Sequence, residues 1–364
     1  MWSQTSVARR LGLEYPIIQG PFGGGLSTTQ LAVAVSEAGG MGSFGVHHLS
    51  PEDIGEIGRV LHAQTRKPFA LNLWVSNQDE SATSMTPAEY ERAIEMFQPY
   101  YYQLGIKPPL QPARFGYSFE EQIEAVLDVK PAAFSFVYGI PSENILEECR
   151  RRNIVTIGAI TTIDEAIAME NAGVDLIVAT GFEAGGHRVS FLRSAEESLT
   201  GTFALIPTVT ATVKIPVIAA GGIADAKGIA AAMILGAQGV QIGTAFLACN
   251  ESNASAIHRA TLFSDEAKYT VLTRAFSGRL ARGIRNNFTD EWQSKIFQTL
   301  AYPIQSWFTN SFKSAAINQH RPDLMSLWAS QITPLLKHQH AAELFAELVQ
   351  ETNTLFKRIN DIHC

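Results

Sequence analysis

The sequence predicts a TIM (β/α)8 barrel with an insertion after the third strand and a helical segment at its C-terminal end. Three observations predict it. Eight short apolar segments recur between residues 16 and 242, and strands apolar on both faces belong to a parallel sheet covered by helices. Helix-start signals fall between them. The last two segments end in Gly221-Gly222 and Gly243-Thr244, where this fold commonly binds phosphate.

Taken in order, Pro16–Gly20 (PIIQG) is strand one, followed by PFGGGLST and a helix over Thr28–Ala38. Gly40–Gly45 is strand two. Its GMGSFG matches the letters of the dinucleotide fingerprint GxGxxG, but that fingerprint needs a strand before it and a helix opening after it. Here a helix precedes and the glycines lie inside the strand, so it is not a nucleotide site. Ser50-Pro51-Glu52-Asp53 opens the next helix, with Ser50 as cap, Pro51 at the first helical position and acids in the first turn. Phe69–Val75 (FALNLWV) is strand three. Residues 76–117, with a helical piece over Pro87–Phe97 and the proline-rich KPPLQPARF, break the alternation and read as an insertion over one barrel mouth.

The alternation resumes at Phe119. Ala132–Gly139, Asn153–Ile160 and Val174–Gly181 are strands four to six, with Ser142 and the box Thr162 to Glu165 capping the helices after the first two. Ile215–Ala220 is strand seven, Asp225 caps the helix behind it, Gly236 stops that helix, and Gly239–Ile242 is strand eight. Beyond Asn250 the pattern is helical, over 251–262, 291–300, Leu324–Ile332 and Ala341–Asn360, and no further strand is expected. Residues 1–250 therefore read as the barrel and 251–364 as a helical lobe beside its mouth, with the last helix free to pack back on the barrel.

With 364 residues, 46% of them hydrophobic, the chain can bury one barrel core plus an appendage. A net charge of -7 without a long block of like charge argues against a nucleic-acid or anionic-membrane partner and for a small molecule. Cys149, Cys249 and Cys364 show no paired spacing, the N-terminus lacks the apolar core of a signal peptide, and no run of eighteen apolar residues occurs. A reducing cytoplasm is the expected location, and the sequons at Asn253 and Asn287 are read as incidental.

Chemistry in this fold belongs to the loops at the C-terminal strand ends. Strands seven and eight offer bare backbone N–H groups at Gly221, Gly222, Gly243 and Thr244, a cradle for an anionic phosphate that a Cβ would obstruct. The alternative is an ordinary βαβ unit whose glycines serve only the turns. Strand one ends at Gln19 and Gly20, and Gly23–Gly25 leave room for a flat ligand. Asn72 is an amide in an apolar strand, so it needs a bonding partner. Strand six leads into GFEAGGHR, where His187 on a glycine-rich loop is the catalytic candidate and Arg188 a guanidinium suited to an anionic substrate. His47 and His48 read as a solvated loop near the mouth. His338 and His340 lack further ligands, so no metal site is expected. Arg274, Arg279, Arg282 and Arg285 read as solvated or capping groups, some of which could face phosphate or substrate.

At these residues the sequence resembles a known family. QGPFGGG, AVSEAGGMGSFG, LNLWV, SFVYGIP, GFEAGGHR, AAGGIADAKG, QIGTAF and AFSGRLARGIRN, in order over about residues 1–290, resemble nitronate monooxygenase, formerly called 2-nitropropane dioxygenase, an FMN-dependent barrel enzyme. The resemblance implies FMN with its phosphate at Gly221, Gly222, Gln241, Ile242, Gly243 and Thr244. It implies flavin contact at Asn72 and close approach of the ring at Gly185 and Gly186. Gln19, Gly20 and Thr180 complete the set assigned to the cofactor. His187 matches the family histidine that binds the nitronate or takes a proton from the nitroalkane. The implied reaction passes an electron from an alkyl nitronate to FMN, uses dioxygen, consumes no nicotinamide cofactor, and yields a carbonyl compound and nitrite; the family suggests propionate 3-nitronate as substrate. A homodimer is left open.

The chain departs from the family pattern at Thr180, where many members have Gln, at Val189, where Gly is common, and at Tyr138, where Phe is usual. These departures bear on the substrate pocket. The alternative enzyme is an FMN-dependent NAD(P)H oxidoreductase of enoyl-acyl-carrier-protein reductase or quinone reductase type, which shares GxEAGGH and AAGGIADG. A flavin-binding protein without turnover is the reading from another class.

Overall fold

The computed structural model describes residues 2–76 and 84–362; residues 77–83 of the expected insertion and Cys364 lie outside them. The eight parallel barrel strands are β1 Ile17–Gln19, β2 Gly42–Gly45, β3 Phe69–Trp74, β4 Ala133–Val137, β5 Val155–Ile160, β6 Leu176–Thr180, β7 Val217–Ala220 and β8 Gly239–Ile242. Each pairs with its neighbour in the chain, β8 returns to β1 with Ile18 opposite Gln241, and a bridge from Ile18 to Met41 closes the ring. The fold is a TIM barrel.

Strand alternation decides what reaches the site. Ile18, Ala70, Ile157, Val178 and Ile218 form one buried cluster inside the barrel, while Ile17, Leu71, Phe134, Ile177 and Val217 join the larger core under the helices. Asn72 and Thr180 share the inward parity. Gln19 and Ile242 share the outward one.

The helix starts follow local chemistry. Ser50 accepts from Asp53 N–H, Thr162 and Glu165 form a reciprocal capping box, and Asp225 accepts from Gly228 N–H. Ser142 departs from expectation: its carbonyl accepts from Leu146 N–H, but its hydroxyl makes no capping bond. After β6 a long loop precedes helix Thr202–Thr212, which the sequence reading did not assign.

The insertion and the C-terminal segment share a second core. Helix Pro87–Gln103, longer than expected, buries Tyr90, Phe97, Tyr100 and Tyr101 against Phe288, Trp292, Phe308 and Phe312. Phe97 stacks on Phe308 at 5.0 Å, and Trp292 Nε1 donates to the Tyr100 hydroxyl at 2.8 Å.

Beyond residue 250 three expectations fail. Strands Thr270–Thr273 and Ala281–Ile284 do exist, and with Gly186–His187 they make a three-stranded antiparallel sheet. Four-residue strands are too short to show a period, and their partner lies almost a hundred residues away. The helix expected over 291–300 instead spans Asn287–Gln293, capped by Asn286. Leu324–Ile332 is not an α-helix: a 3₁₀ turn at Pro322–Leu324 leads to an extended stretch bridged from Trp328 to Gly283. Helix Ile304–Asn318 was not expected. The last helix, Ala341–Ile362, packs between Thr29–Glu37 and Ala226–Ile234, with Leu344, Phe345 and Leu348 in the barrel's outer core. It takes the place of the eighth barrel helix.

Candidate active site

The principal cavity, about 1590 Å³ with its open mouth included, lies at the C-terminal strand ends. The barrel contributes Gly20, Asn72, Trp74, Thr180 and Gln241; the loops contribute Gly185, Gly186, His187, Gly221, Gly222, Gly243 and Thr244. The C-terminal segment supplies the opposite wall through Ser277, Tyr302, Trp328 and one face of helix Ile304–Asn318. Gln19 and Ile242 do not line it. Their outward parity turns the side chains away, and Gln19 instead accepts from Ser43 N–H at 2.9 Å.

One end is a backbone cradle. Gly221 and Gly222 have φ of 106° and 68°, and a Cβ on Gly221 would lie 3.0 Å from Thr202 Oγ1 and 3.1 Å from Gly181 O. A Cβ on Gly243 would meet nothing nearer than Phe22 at 4.0 Å, so that face opens into the cavity. Among the described residues no group accepts from the N–H of Gly222, Gly243 or Thr244, and convergent bare N–H groups suit an anion. The Thr202 hydroxyl holds the loop by donating to Gly221 O at 2.9 Å.

At the other end His187 is fixed by its short strand, opposite Ala281. Its ring meets Trp74 edge-on at 5.0 Å and Trp328 at 5.3 Å. Nε2 is hydrogen-bonded to Ser277 Oγ at 2.8 Å. Burial pushes the imidazole pKa down to about 4, so it is neutral near pH 7. Gly185 is required here because a Cβ would lie 2.5 Å from Ala329 C and Ser330 N.

His47 is not the solvated residue expected, whereas His48 is exposed as expected. Both line the cavity; His47 is buried and stacks on Trp74 at 4.0 Å and 14°. Burial and then the neighbouring His48 hold His47 well below the usual imidazole range, and burial followed by Lys313 lowers His48.

Asn72 has its partner, donating to Ser135 Oγ at 3.0 Å. Arg188 does not face the cavity. Alternation turns it opposite to His187, where Nη1 donates to Thr180 O at 2.6 Å and Nε to Ser198 O at 2.7 Å, tying down the loop. Arg274 pairs with Glu196, Arg282 donates to Phe182 O, and Arg285 pairs with Asp290. Arg279 stacks on Tyr138, Tyr302 and Trp74, 3.8 to 5.0 Å from the ring centres, and donates to Ser76 Oγ. It backs the aromatic wall instead of lining the cavity.

The sequence reading missed Trp74, Ser277, Tyr302 and the helix face at Ser306, Thr309, Asn310 and Lys313. Only the last had a readable signal, polar residues at i, i+3, i+4 and i+7. Among the described residues no group of three or more His, Cys, Asp or Glu is placed to hold a metal, and no helix is long and apolar enough to cross a membrane.

Residues 5–351 match the family model described as nitronate monooxygenase. A probable nitronate monooxygenase of Staphylococcus aureus is 36% identical over 358 residues, covering 98% of this chain and 99% of that protein. Among solved structures, a nitroalkane oxidase from Streptomyces ansochromogenes is 30% identical with TM-score 0.87, covering 97% of this chain and 99% of that one. FabK from Thermotoga maritima is 26% identical with TM-score 0.76, covering 99% of each chain.

Proposed function

The chain belongs to the nitronate monooxygenase family, and from that premise we propose that it binds FMN in the principal cavity and oxidises alkyl nitronates with dioxygen to a carbonyl compound and nitrite. One observation carries the reading: a bare N–H cradle and a half-buried, neutral histidine face one cavity that no Asp or Glu lines among the described residues.

The residues fit the cofactor. The N–H groups of Gly222, Gly243 and Thr244 would take the phosphate, with Gly20 and Gln241 beside them. Gly185 and Gly186 allow a flat ring to approach the backbone, and Asn72 and Thr180 border it. Bound there, the flavin supplies the electron acceptor for the nitronate and the reductant for dioxygen.

The chain's own work is orientation and exclusion of water. Trp74 and Trp328 flank His187 and shield its ring from water, which strengthens its hydrogen bond to Ser277. The Ser277 hydroxyl has its own acceptor in Arg279 O at 3.2 Å. With that proton so placed, Nε2–H donates to Ser277 Oγ and Nδ1 keeps its lone pair, able to take a proton from a neutral nitroalkane.

The test is nitrite release and oxygen uptake by purified yellow protein given ethylnitronate in air without NAD(P)H. Both are expected. The similarity to FabK favours an NAD(P)H-dependent reductase as the second reading, and rapid anaerobic bleaching by NADH or NADPH with no nitrite would select it. His187→Asn should keep FMN and lower kcat/KM about a hundredfold or more, the usual scale for a positioned proton-transfer group; unchanged kcat/KM on both nitronate and nitroalkane would remove His187 from the mechanism.

A further inference from the structure

Helix Ile304–Asn318 turns Ser306, Thr309, Asn310 and Lys313 toward the cavity and buries Phe308, Phe312 and Ala316 in the aromatic core. At 1.5 Å per residue the polar face runs about 10 Å from its first hydroxyl to its ammonium. The Thr309 hydroxyl is taken by Phe276 O at 2.7 Å. The Lys313 ammonium is not: among the described residues no carbonyl or carboxylate accepts from it, and no acid lines the cavity.

An ammonium held partly out of water without a counter-charge is costly, and a bound anion offsets that cost. The other basic groups on this wall do not compete for that role. His47, His48 and His187 are all lowered by burial, and the nearby arginines are engaged elsewhere, as described above. Lys313 is thus the one formal cation among the described residues lining the cavity.

We propose that Lys313 is the specificity-determining residue of this site, its ammonium binding the anionic group of the substrate and selecting nitronate anions over neutral nitroalkanes. The proposal rests on the nitronate reading for its substrate, and on the helix face alone for its anion site. Selection by charge also explains a polar wall leading to a lysine, since the Ser306 hydroxyl and the Asn310 amide can donate to an anion without opposing its charge.

The experiment compares the FMN-loaded wild type with Lys313→Met and Lys313→Arg. Nitrate, a planar oxyanion, is titrated as probe through the flavin absorbance, nitroethane is titrated as the neutral probe, and KM is measured for ethylnitronate. Lys313→Met should weaken nitrate binding and raise the nitronate KM about tenfold or more, the scale of a charge-assisted hydrogen bond, with nitroethane binding and FMN content unchanged. Lys313→Arg should restore most of the loss. Unchanged nitrate affinity, equal weakening of nitroethane, or loss of FMN in its place would each overturn the proposal. If the wild type turns over no nitronate but nitrate binding still depends on Lys313, the substrate reading falls and the anion site stands.

Discussion

His258 shows what burial does to a single group that takes no part in the cavity. It is 2% exposed, Nε2 lies 3.0 Å from Trp328 O, and burial, partly offset by that carbonyl, pushes its pKa from 6.5 down to about 4. The unfolded chain therefore binds more protons between those values, so stability is full above pH 6.5 and falls as pH drops toward 4. A shift of this size corresponds to ~3 kcal/mol. Between pH 7.5 and pH 4.5 urea unfolding should show a smaller loss for His258→Gln than for the wild type, the difference being of that order and the remainder coming from His47, His48 and His187; the same pH slope in both proteins would refute the assignment. His187 was legible in the sequence because a glycine-rich loop at a strand end turns its side chain toward the cavity. His47 was not, because the Trp74 face that buries it comes from a strand about 25 residues away, and letters alone do not show a stack.

At the scale of elements, the barrel strands were legible because each is apolar on both faces and closed by a glycine or a capped helix. Helix Ile304–Asn318 was not. Its sequence IQSWFTNSFKSAAIN is rich in Ser, Thr, Asn and aromatic residues of modest helix propensity, and it is held by packing of Phe308 and Phe312 against the insertion. The glycine-rich ends of β7 and β8 at the cavity were legible, and their reading as a phosphate cradle can be tested without damaging the chain. Gly243 has φ -100° and its added Cβ would point into open cavity, whereas Gly222, at φ 68°, would be strained by any side chain. Gly243→Val should therefore fold with an unchanged far-UV spectrum and purify with little FMN. Retained yellow colour at full stoichiometry would refute the phosphate cradle. The inward and outward parity of the strands, which separates Gln241 from Ile242 and removes Gln19 from the cavity, was available in principle from alternation. A contact set carried over from family resemblance does not apply it.

The whole molecule is organised by where the chain goes after β8. It first crosses the mouth, where Ala281 pairs with His187 and the helix bearing Lys313 closes the cavity, and it then leaves to supply the missing outer helix, Ala341–Ile362. One continuous segment thus does two separable jobs, building one wall of the cavity and completing the barrel. Phe345 tests the separation. It is 2% exposed in the core shared with Leu31, Val35 and Ile229, and a Cβ on Gly40 would come within 2.5 Å of its ring, so the barrel has been shaped around this side chain. Phe345→Ala removes a ring from a packed interior that can relax only partly, a change that costs about 3–5 kcal/mol. Because the residue lies on the outer helix layer and lines no part of the principal cavity, the lost stability should appear in the urea midpoint while the FMN content of the folded protein and the KM for ethylnitronate stay at wild-type values. A raised KM at wild-type stability would mean that the last helix shapes the site directly, and the division of labour along the C-terminal segment would fail.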